Sequence, residues 1–197
     1  MGLWLFALAL SLVPTTGPTT REAAAYDGST PVAAAKSLDR ANDRHDVEAV
    51  VVAYVATTDE ERALLDSMRE TELAGRALYD ACMKRFGRDL PSKATHAPAP
   101  ADYVADIHGD DAVVYLGGKQ PGLPTHWVRT GGRWRIPMKD ILQIHLRAYK
   151  SLNADLEQRR RWTEGLNGIA HEVVSGRYGS AEDVDKALDD LANRESQ

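Results

Sequence analysis

Two tight glycine-containing turns constrain the fold of this chain more than any other feature. Gly109-Asp110 and Gly131-Gly132 each separate two short runs of alternating apolar and polar residues. Two-residue turns of this composition are typical of β-hairpins, because the twist of the strands requires positive φ angles at the turn. The four strands predicted around these turns are 102–108, 111–117, 125–130 and 133–138. Helical patterns flank this block, so we predict an α+β fold with N-terminal helices packed on a curved antiparallel sheet, followed by C-terminal helices.

Clear helix start and stop signals lie before the strands. An alanine-rich helix is predicted first, and Asp46 is placed to cap a second helix. Thr58 and Glu61 have the spacing of a capping box, which begins a long third helix. Gly87 is the predicted end of that helix, because glycine readily adopts the left-handed conformation there. No strand is predicted between these helices.

The last third of the chain is again helical. Apolar residues recur at helical spacing and define one predicted apolar side: Leu142, Leu146, Tyr149, Leu152 and Leu156. We expect this helix to weaken near Gly165 and Gly168 and a final helix to open at Ser180. The basic run 159–161 is predicted to be a solvated helix face, because acidic residues surround it in the sequence.

The two hairpins differ in how well the sequence specifies their register. Strict pairing across the first turn places six apolar residues on one face: Tyr103, Ala105, Ile107, Ala112, Val114 and Leu116. Across the second turn, a two-residue loop places Val128 beside Arg133 and Arg135. A bulged three-residue loop instead groups His126, Val128, Trp134 and Ile136. We predict the bulged register, because it separates charged from apolar side chains.

The first 25 residues have the composition of a secretory signal segment. Residues 3–13 form an uncharged and almost entirely apolar run. It is shorter than the roughly 20 residues that a membrane-spanning helix needs, and is typical of a signal peptide. Small residues offer cleavage after Gly17 or after Ala25; retention as an anchor is the alternative. We predict a signal peptide and leader over 1–25, a flexible linker over 26–31, and export to the periplasm, the cell envelope or the medium.

Composition excludes several functions. Acidic residues outnumber basic ones by 29 to 24, giving a net charge of −5, whereas a nucleic-acid binder needs a basic surplus or stripe. The single cysteine, Cys82, excludes an internal disulfide framework and is predicted to be buried. The histidines lack the spacings of shared metal ligation, and no phosphate-binding glycine loop is present. We therefore predict no metal, no cofactor and no nucleic acid.

The order of these elements resembles a known superfamily. Three segments carry the resemblance: the first two helices around Asp46, the strand–turn–strand unit over 107–114, and the hairpin over 127–136 with its Gly-x-Trp-x-Ile ending. Together they cover about 32–138 and resemble the nuclear transport factor 2-like superfamily, also called SnoaL-like or the cystatin-like α+β cone. The chain departs from it in two ways. Many members place a strand between the early helices, and the helical extension over 139–197 is not part of the common cone.

The resemblance implies a curved sheet wrapped around a long helix, with a pocket at the open end. Catalytic members generally use an Asp–His pair, or a Tyr with an acidic group, in that pocket. His126 is the catalytic candidate here, and Tyr103, His126 and Trp134 are the candidate ligand-binding residues. No carboxylate is tied to His126 by its spacing in the sequence, so the catalytic reading is the weaker one.

Two classes of function follow. We favour an exported non-catalytic binding or adaptor protein that takes a small apolar ligand or a protein partner, because the superfamily fold hosts carriers and adaptors as well as enzymes. The alternative is a small-molecule isomerase or hydrolase that uses a pocket histidine. A homodimer is a further hypothesis, with the mixed second face of the first hairpin and the C-terminal helices as the contact. Membrane contact is predicted only through the signal segment.

Overall fold

The computed structural model describes residues 26–87, 102–117, 124–149 and 151–195, so the predicted leader lies outside the described chain. These residues form six helices and an open five-stranded sheet, with helices before and after it, which confirms the α+β class. The elements before the first hairpin are α1 (Pro31–Asp43), α2 (Val47–Val52), β1 (Tyr54–Val55) and α3 (Asp59–Phe86). The hairpin strands are β2 (Asp102–His108), β3 (Asp111–Gly117), β4 (Thr125–Thr130) and β5 (Arg133–Pro137). The C-terminal helices are α4 (Met138–Ala148), α5 (Leu152–Ser175) and α6 (Ala181–Glu195).

The predicted helix caps are confirmed. Asp46 accepts from the backbone N–H of Ala49 at the start of α2, at 3.1 Å. Thr58 caps α3, and Gly87 ends it with a φ of 69°. The Glu61 carboxylate accepts from the backbone N–H and the hydroxyl of Thr57. In the usual capping box it would accept from the N–H of the cap residue itself, here Thr58. Local polar signals therefore fix where these helices begin and end.

The sheet is mixed, with the strand order β1-β5-β4-β3-β2. β1 pairs in parallel with β5, so the prediction of a purely antiparallel sheet and of no strand between the early helices is wrong. Residues N-terminal to α1 lie beside β5 as well. The Tyr26 hydroxyl donates to the carbonyl of Trp134 at 2.6 Å, and the N–H of Trp134 donates to Gly28 at 2.9 Å. A side chain at position 28 would meet the Arg133 Cβ at 3.0 Å, which is why glycine suits this close approach.

The two hairpins have different outcomes. β2 and β3 pair in the predicted register around Gly109-Asp110. In the second hairpin Gly131 and Gly132 both have positive φ, 59° and 75°, which is the geometry of a two-residue type I′ turn. This turn pairs Arg129 with Trp134, so the predicted bulged register is wrong. Because side chains alternate along a strand, His126 and Trp134 lie on opposite faces of the sheet.

The C-terminal helices differ from prediction at two places. Tyr149 ends α4 in an extended conformation and Ser151 caps α5, so the predicted continuous helix is broken between them. Gly165 and Gly168 lie within an unbroken α5, so the predicted weakening there is wrong. Gly165 marks the contact with α6, because a Cβ added there would lie 2.5 Å from a methyl carbon of Leu191.

Two apolar cores hold these elements together. The sheet core places α1 on one face of the sheet, and its buried members are Tyr26, Ala34, Ala35, Ala53, Ala112, Val114, Trp127, Trp134 and Ile136. The helix core joins α3, α5 and α6 through Ala74, Leu78, Ala81, Cys82, Leu166, Ile169, Ala170, Val173, Ala181, Val184 and Leu191. Cys82 is fully buried there, as predicted.

The sheet presents its second face to solvent. We call this the open face and define it by the alternating residues of the four hairpin strands: Val104, Asp106, His108, Asp111, Val113, Tyr115, His126, Val128, Thr130, Arg133 and Arg135. Every one of them is exposed or half-buried, and Val104 and Tyr115 retain 60% and 41% of their accessible surface. The open face is therefore the functional surface to consider first.

Candidate functional site

His126 stands on the open face between two carboxylates. β4 directs its side chain outward, β3 carries Asp111 on the neighbouring strand, and α4 begins directly after β5, so that Asp140 lies in its first turn. His126 Nδ1 lies 2.7 Å from Asp140 Oδ2, and its Nε2 lies 3.1 Å from Asp111 Oδ1. The spacing in the sequence did not reveal these partners, because they come from two other elements.

The two carboxylates determine the charge of this histidine. Partial burial lowers the pKa of His126, but the hydrogen bonds to Asp140 and Asp111 outweigh it and raise the pKa above its ordinary value. A neutral imidazole has one N–H, whereas the imidazolium donates to both carboxylates at once. The arrangement thus favours the charged form and occupies both ring nitrogens. A general base needs a free nitrogen facing its substrate, and this geometry supplies none.

The three predicted ligand-binding residues do not converge. Tyr103 lies on the covered side of the sheet, where its hydroxyl donates to Asp39 of α1. Trp134 belongs to the sheet core and is only 5% exposed. His126 lies on the opposite face from both. His108, which ends β2 in the first hairpin, is strongly exposed and lies 3.2 Å from Asp106. The described residues therefore do not bring Tyr103, His126 and Trp134 into one pocket.

Sequence reasoning missed a buried charged cluster between α4 and α5. His145 is 5% exposed and Asp155 is 1% exposed. Asp155 Oδ2 lies 3.0 Å from His145 Nδ1, and Arg159 donates from Nε to Asp155 Oδ1 at 3.1 Å. Arg159 Nη2 also lies within 3.3 Å of both ring nitrogens of His145. Arg159 thus contacts the interior, whereas Arg160 pairs with Glu157 and Glu164 on the predicted solvated face.

A further carboxylate faces this cluster from α3. Burial raises the pKa of Glu72, while the nearby Arg159 guanidinium acts to lower it. The i, i+4 spacing of Asp155 and Arg159 was visible in the sequence and is the one signal that pointed to their pairing. His145 and Asp155 are too deeply buried for a substrate to reach. The cluster therefore fastens α4 to α5 and offers no accessible reactive group.

Comparisons with known proteins gave no match: no family model, no curated protein and no solved structure matches this chain. Among the residues that the structure describes, no group of three or more His, Cys, Asp or Glu side chains is arranged to hold a metal ion. In the same residues, no helix combines the length and the apolar character that crossing a membrane requires. The open face is therefore the part of the described chain whose geometry bears on function.

Proposed function

We propose that this chain is an exported, non-catalytic binding or adaptor protein that engages its partner through the open face. The observation that carries the proposal is the exposure of Val104 and Tyr115 on paired strands, next to charged side chains. Exposed apolar residues with a polar surround are characteristic of interaction sites. Strands joined by ladder hydrogen bonds present such residues rigidly, which lowers the entropic cost of binding.

The geometry of His126 supports a binding function over catalysis. Both of its ring nitrogens are engaged by carboxylates, and the raised pKa favours the imidazolium. His126 thereby links β3, β4 and the start of α4, and holds the open face in shape. The alternative function, an isomerase or hydrolase, draws support from one observation. Asp140 lies 2.7 Å from His126 Nδ1, as an orienting carboxylate would.

Export and the cone-like superfamily remain part of the proposal. The apolar run over 3–13 supports export. β1 supports the resemblance to the nuclear transport factor 2-like superfamily, since many members have a strand between the early helices. N-terminal sequencing of the exported protein tests the first point. A start at residue 18 or 26 is expected, whereas a retained Met1 contradicts cleavage.

The binding function is tested by native mass spectrometry of tagged protein recovered from the exported fraction of its host. Three forms are compared: the wild type, the open-face variant Val104→Lys/Tyr115→Lys, and the control Val174→Lys on α5. Val174 is as exposed as Val104, at 68%, but lies outside the sheet. We expect a bound partner or ligand on the wild type and the control, and its loss from the open-face variant. A species retained by all three forms contradicts the proposal, and so does the absence of any species from all three if the chain also stays monomeric at high protein concentration.

A further inference from the structure

Strand pairing sorts the charges of the open face by strand. Asp106 stands on β2, Asp111 on β3, and Arg133 and Arg135 on β5 at the far side. The pairings define two adjacent rows across the sheet: His108, Asp111, Val128 and Arg135 in one, and Asp106, Val113 and His126 in the next. Each carboxylate also contacts a histidine, Asp106 with His108 at 3.2 Å and Asp111 with His126 at 3.1 Å. The carboxylates of the four strands thus lie on β2 and β3, whereas His126 and both arginines lie on β4 and β5, with two valines between.

The β5 arginines have no carboxylate partner within the described residues. Neither Arg133 nor Arg135 forms an ion pair or a side-chain hydrogen bond there, and Arg135 Nε is a buried donor without an acceptor. Arg135 Nε is enclosed by the chain itself, so a partner cannot reach that atom. Arg133 is exposed and Arg135 is half-buried, however, so their positive charge is available to carboxylates of a binding partner.

We propose that a second copy of this chain covers the open face, related to the first by a twofold axis that runs parallel to the strands. This inference rests on the proposed function, since it names the occupant of the same surface. The axis places β5 of one copy over β2 of the other, and β4 over β3. Arg135 of each copy then lies over His108 of the other, two residues along β2 from Asp106 and one strand away from Asp111, and symmetry makes this contact twice. Val113 and Val128 lie nearest to the axis.

The charges select this axis over the other face-to-face arrangement. A twofold axis perpendicular to the strands would place β2 over β2 and β5 over β5. The acidic strands would then face each other, as would the two β5 strands with their arginines. Like charges brought together across an interface cost several kcal/mol. The parallel axis places the arginines of β5 over the strand of Asp106 at both edges of the contact, so a face with acidic and basic sides is complementary to itself.

The size of the face sets the expected affinity. Four strands at a spacing of about 4.8 Å, each about 20 Å long, give a contact region roughly 20 Å on a side. A standard stable interface buries about 800 Å² per partner, which is more than this region offers as a plane. We therefore expect a weak, salt-dependent dimer, so that the experiment must reach high protein concentration.

Analytical ultracentrifugation of the wild type and two charge-reversal variants tests the inference. Protein is examined from about 1 µM to about 300 µM, the range expected for a small interface. Arg135→Glu places a carboxylate over the strand that carries Asp106, and Asp106→Arg places a guanidinium on the strand that Arg135 covers. Each variant alone is expected to associate at least about tenfold more weakly than the wild type. An equimolar mixture restores opposite charges at both edges of the contact, so we expect association close to that of the wild type. Arg62→Glu, an exposed reversal on α3, is the control and leaves association unchanged.

The mixture also controls for folding, since two misfolded variants cannot restore each other. A wild type that stays monomeric to about 300 µM overturns the inference, as does a dimer indifferent to both reversals or a mixture without restoration. The native mass spectrometry described above separates this failure from that of the proposed function. If the wild type stays monomeric but binds a partner that Val104→Lys/Tyr115→Lys loses, the dimer inference fails and the proposed function stands. If the wild type stays monomeric and binds no partner at the open face, the dimer inference and the proposed function both fail.

Discussion

Replacing Asp155 with asparagine tests whether the buried cluster fastens α4 to α5. Asparagine keeps the shape of the side chain but removes the charge that lies between His145 and Arg159. Breaking a buried ion pair by removing one partner costs about 3–5 kcal/mol. Arg159 keeps 21% of its side-chain exposure and can be partly hydrated, so we expect the lower end, about 3 kcal/mol. Asp155 also lies in the first turn of α5, where a negative charge favours the helix.

The assay is urea unfolding followed by circular dichroism, with a surface pair as control. Asp80→Asn breaks the exposed i, i+4 pair with Arg76 and should lower the free energy of unfolding by only about 0.5 kcal/mol. The double variant Asp155→Asn/Arg159→Met removes the uncompensated charge and should regain at least about 1 kcal/mol. A loss at Asp155 no larger than at Asp80 would refute the reasoning, because it would mean that the cluster carries no buried charge.

Three further predictions concern glycine packing, pH and thiol access. Gly165→Ala should lower the free energy of unfolding by about 1 kcal/mol, because Leu191 fills the space of the new methyl group. A Cβ at Gly168, also in α5, would meet no atom within 4 Å, so Gly168→Ala should raise the free energy of unfolding by up to about 1 kcal/mol. The charged form of His126 contributes its full stabilisation when the pH lies below the ordinary pKa of histidine. This stabilisation is lost as the pH rises through the raised pKa of His126. The Tm advantage of the wild type over His126→Gln should therefore be larger at pH 6 than at pH 9, and an advantage that grows with pH would contradict this assignment. Cys82 should react with a thiol reagent only after unfolding, and rapid reaction of the native protein would contradict its burial.

Local signals account for the part of the fold that the sequence predicts. Asp46 and Thr58 form their capping bonds with residues three positions away, and Gly109-Asp110 fixes the register of the first hairpin. These interactions join near neighbours, so composition and spacing are enough to identify them. The burial of Cys82 follows in the same way from its position on the apolar side of α3.

The missed elements depend on contacts between distant residues. β1 has only two residues and exists through its parallel pairing with Ile136 and Pro137, which no local pattern encodes. The bulged register was predicted on the premise that charge and apolar groups separate between the two faces. The type I′ geometry of the glycine turn prevailed, because arginine and valine tolerate each other on a solvent-exposed face.

The candidate site was predictable only in its central residue. His126 was identified from its sequence environment, but Asp140 and Asp111 reach it through the fold of α4 and β3. The apolar side expected for the 142–156 segment included Leu146, which is exposed, whereas His145 is buried in its place. Burial of a histidine becomes favourable because Asp155 and Arg159 contact it from α5, and that pairing depends on the break of the helix at Tyr149.

The most direct test of the open face as a binding surface is photo-crosslinking in the native host of the protein. A benzoylphenylalanine replaces Tyr115 on the open face in one strain, and replaces Val174 on α5 in a second strain. We expect ultraviolet light to give a discrete crosslinked species from the Tyr115 position, with the mass of a dimer if a second copy is the occupant, and none from the Val174 position. The absence of any species specific to Tyr115 would contradict the central claim that the open face binds a partner.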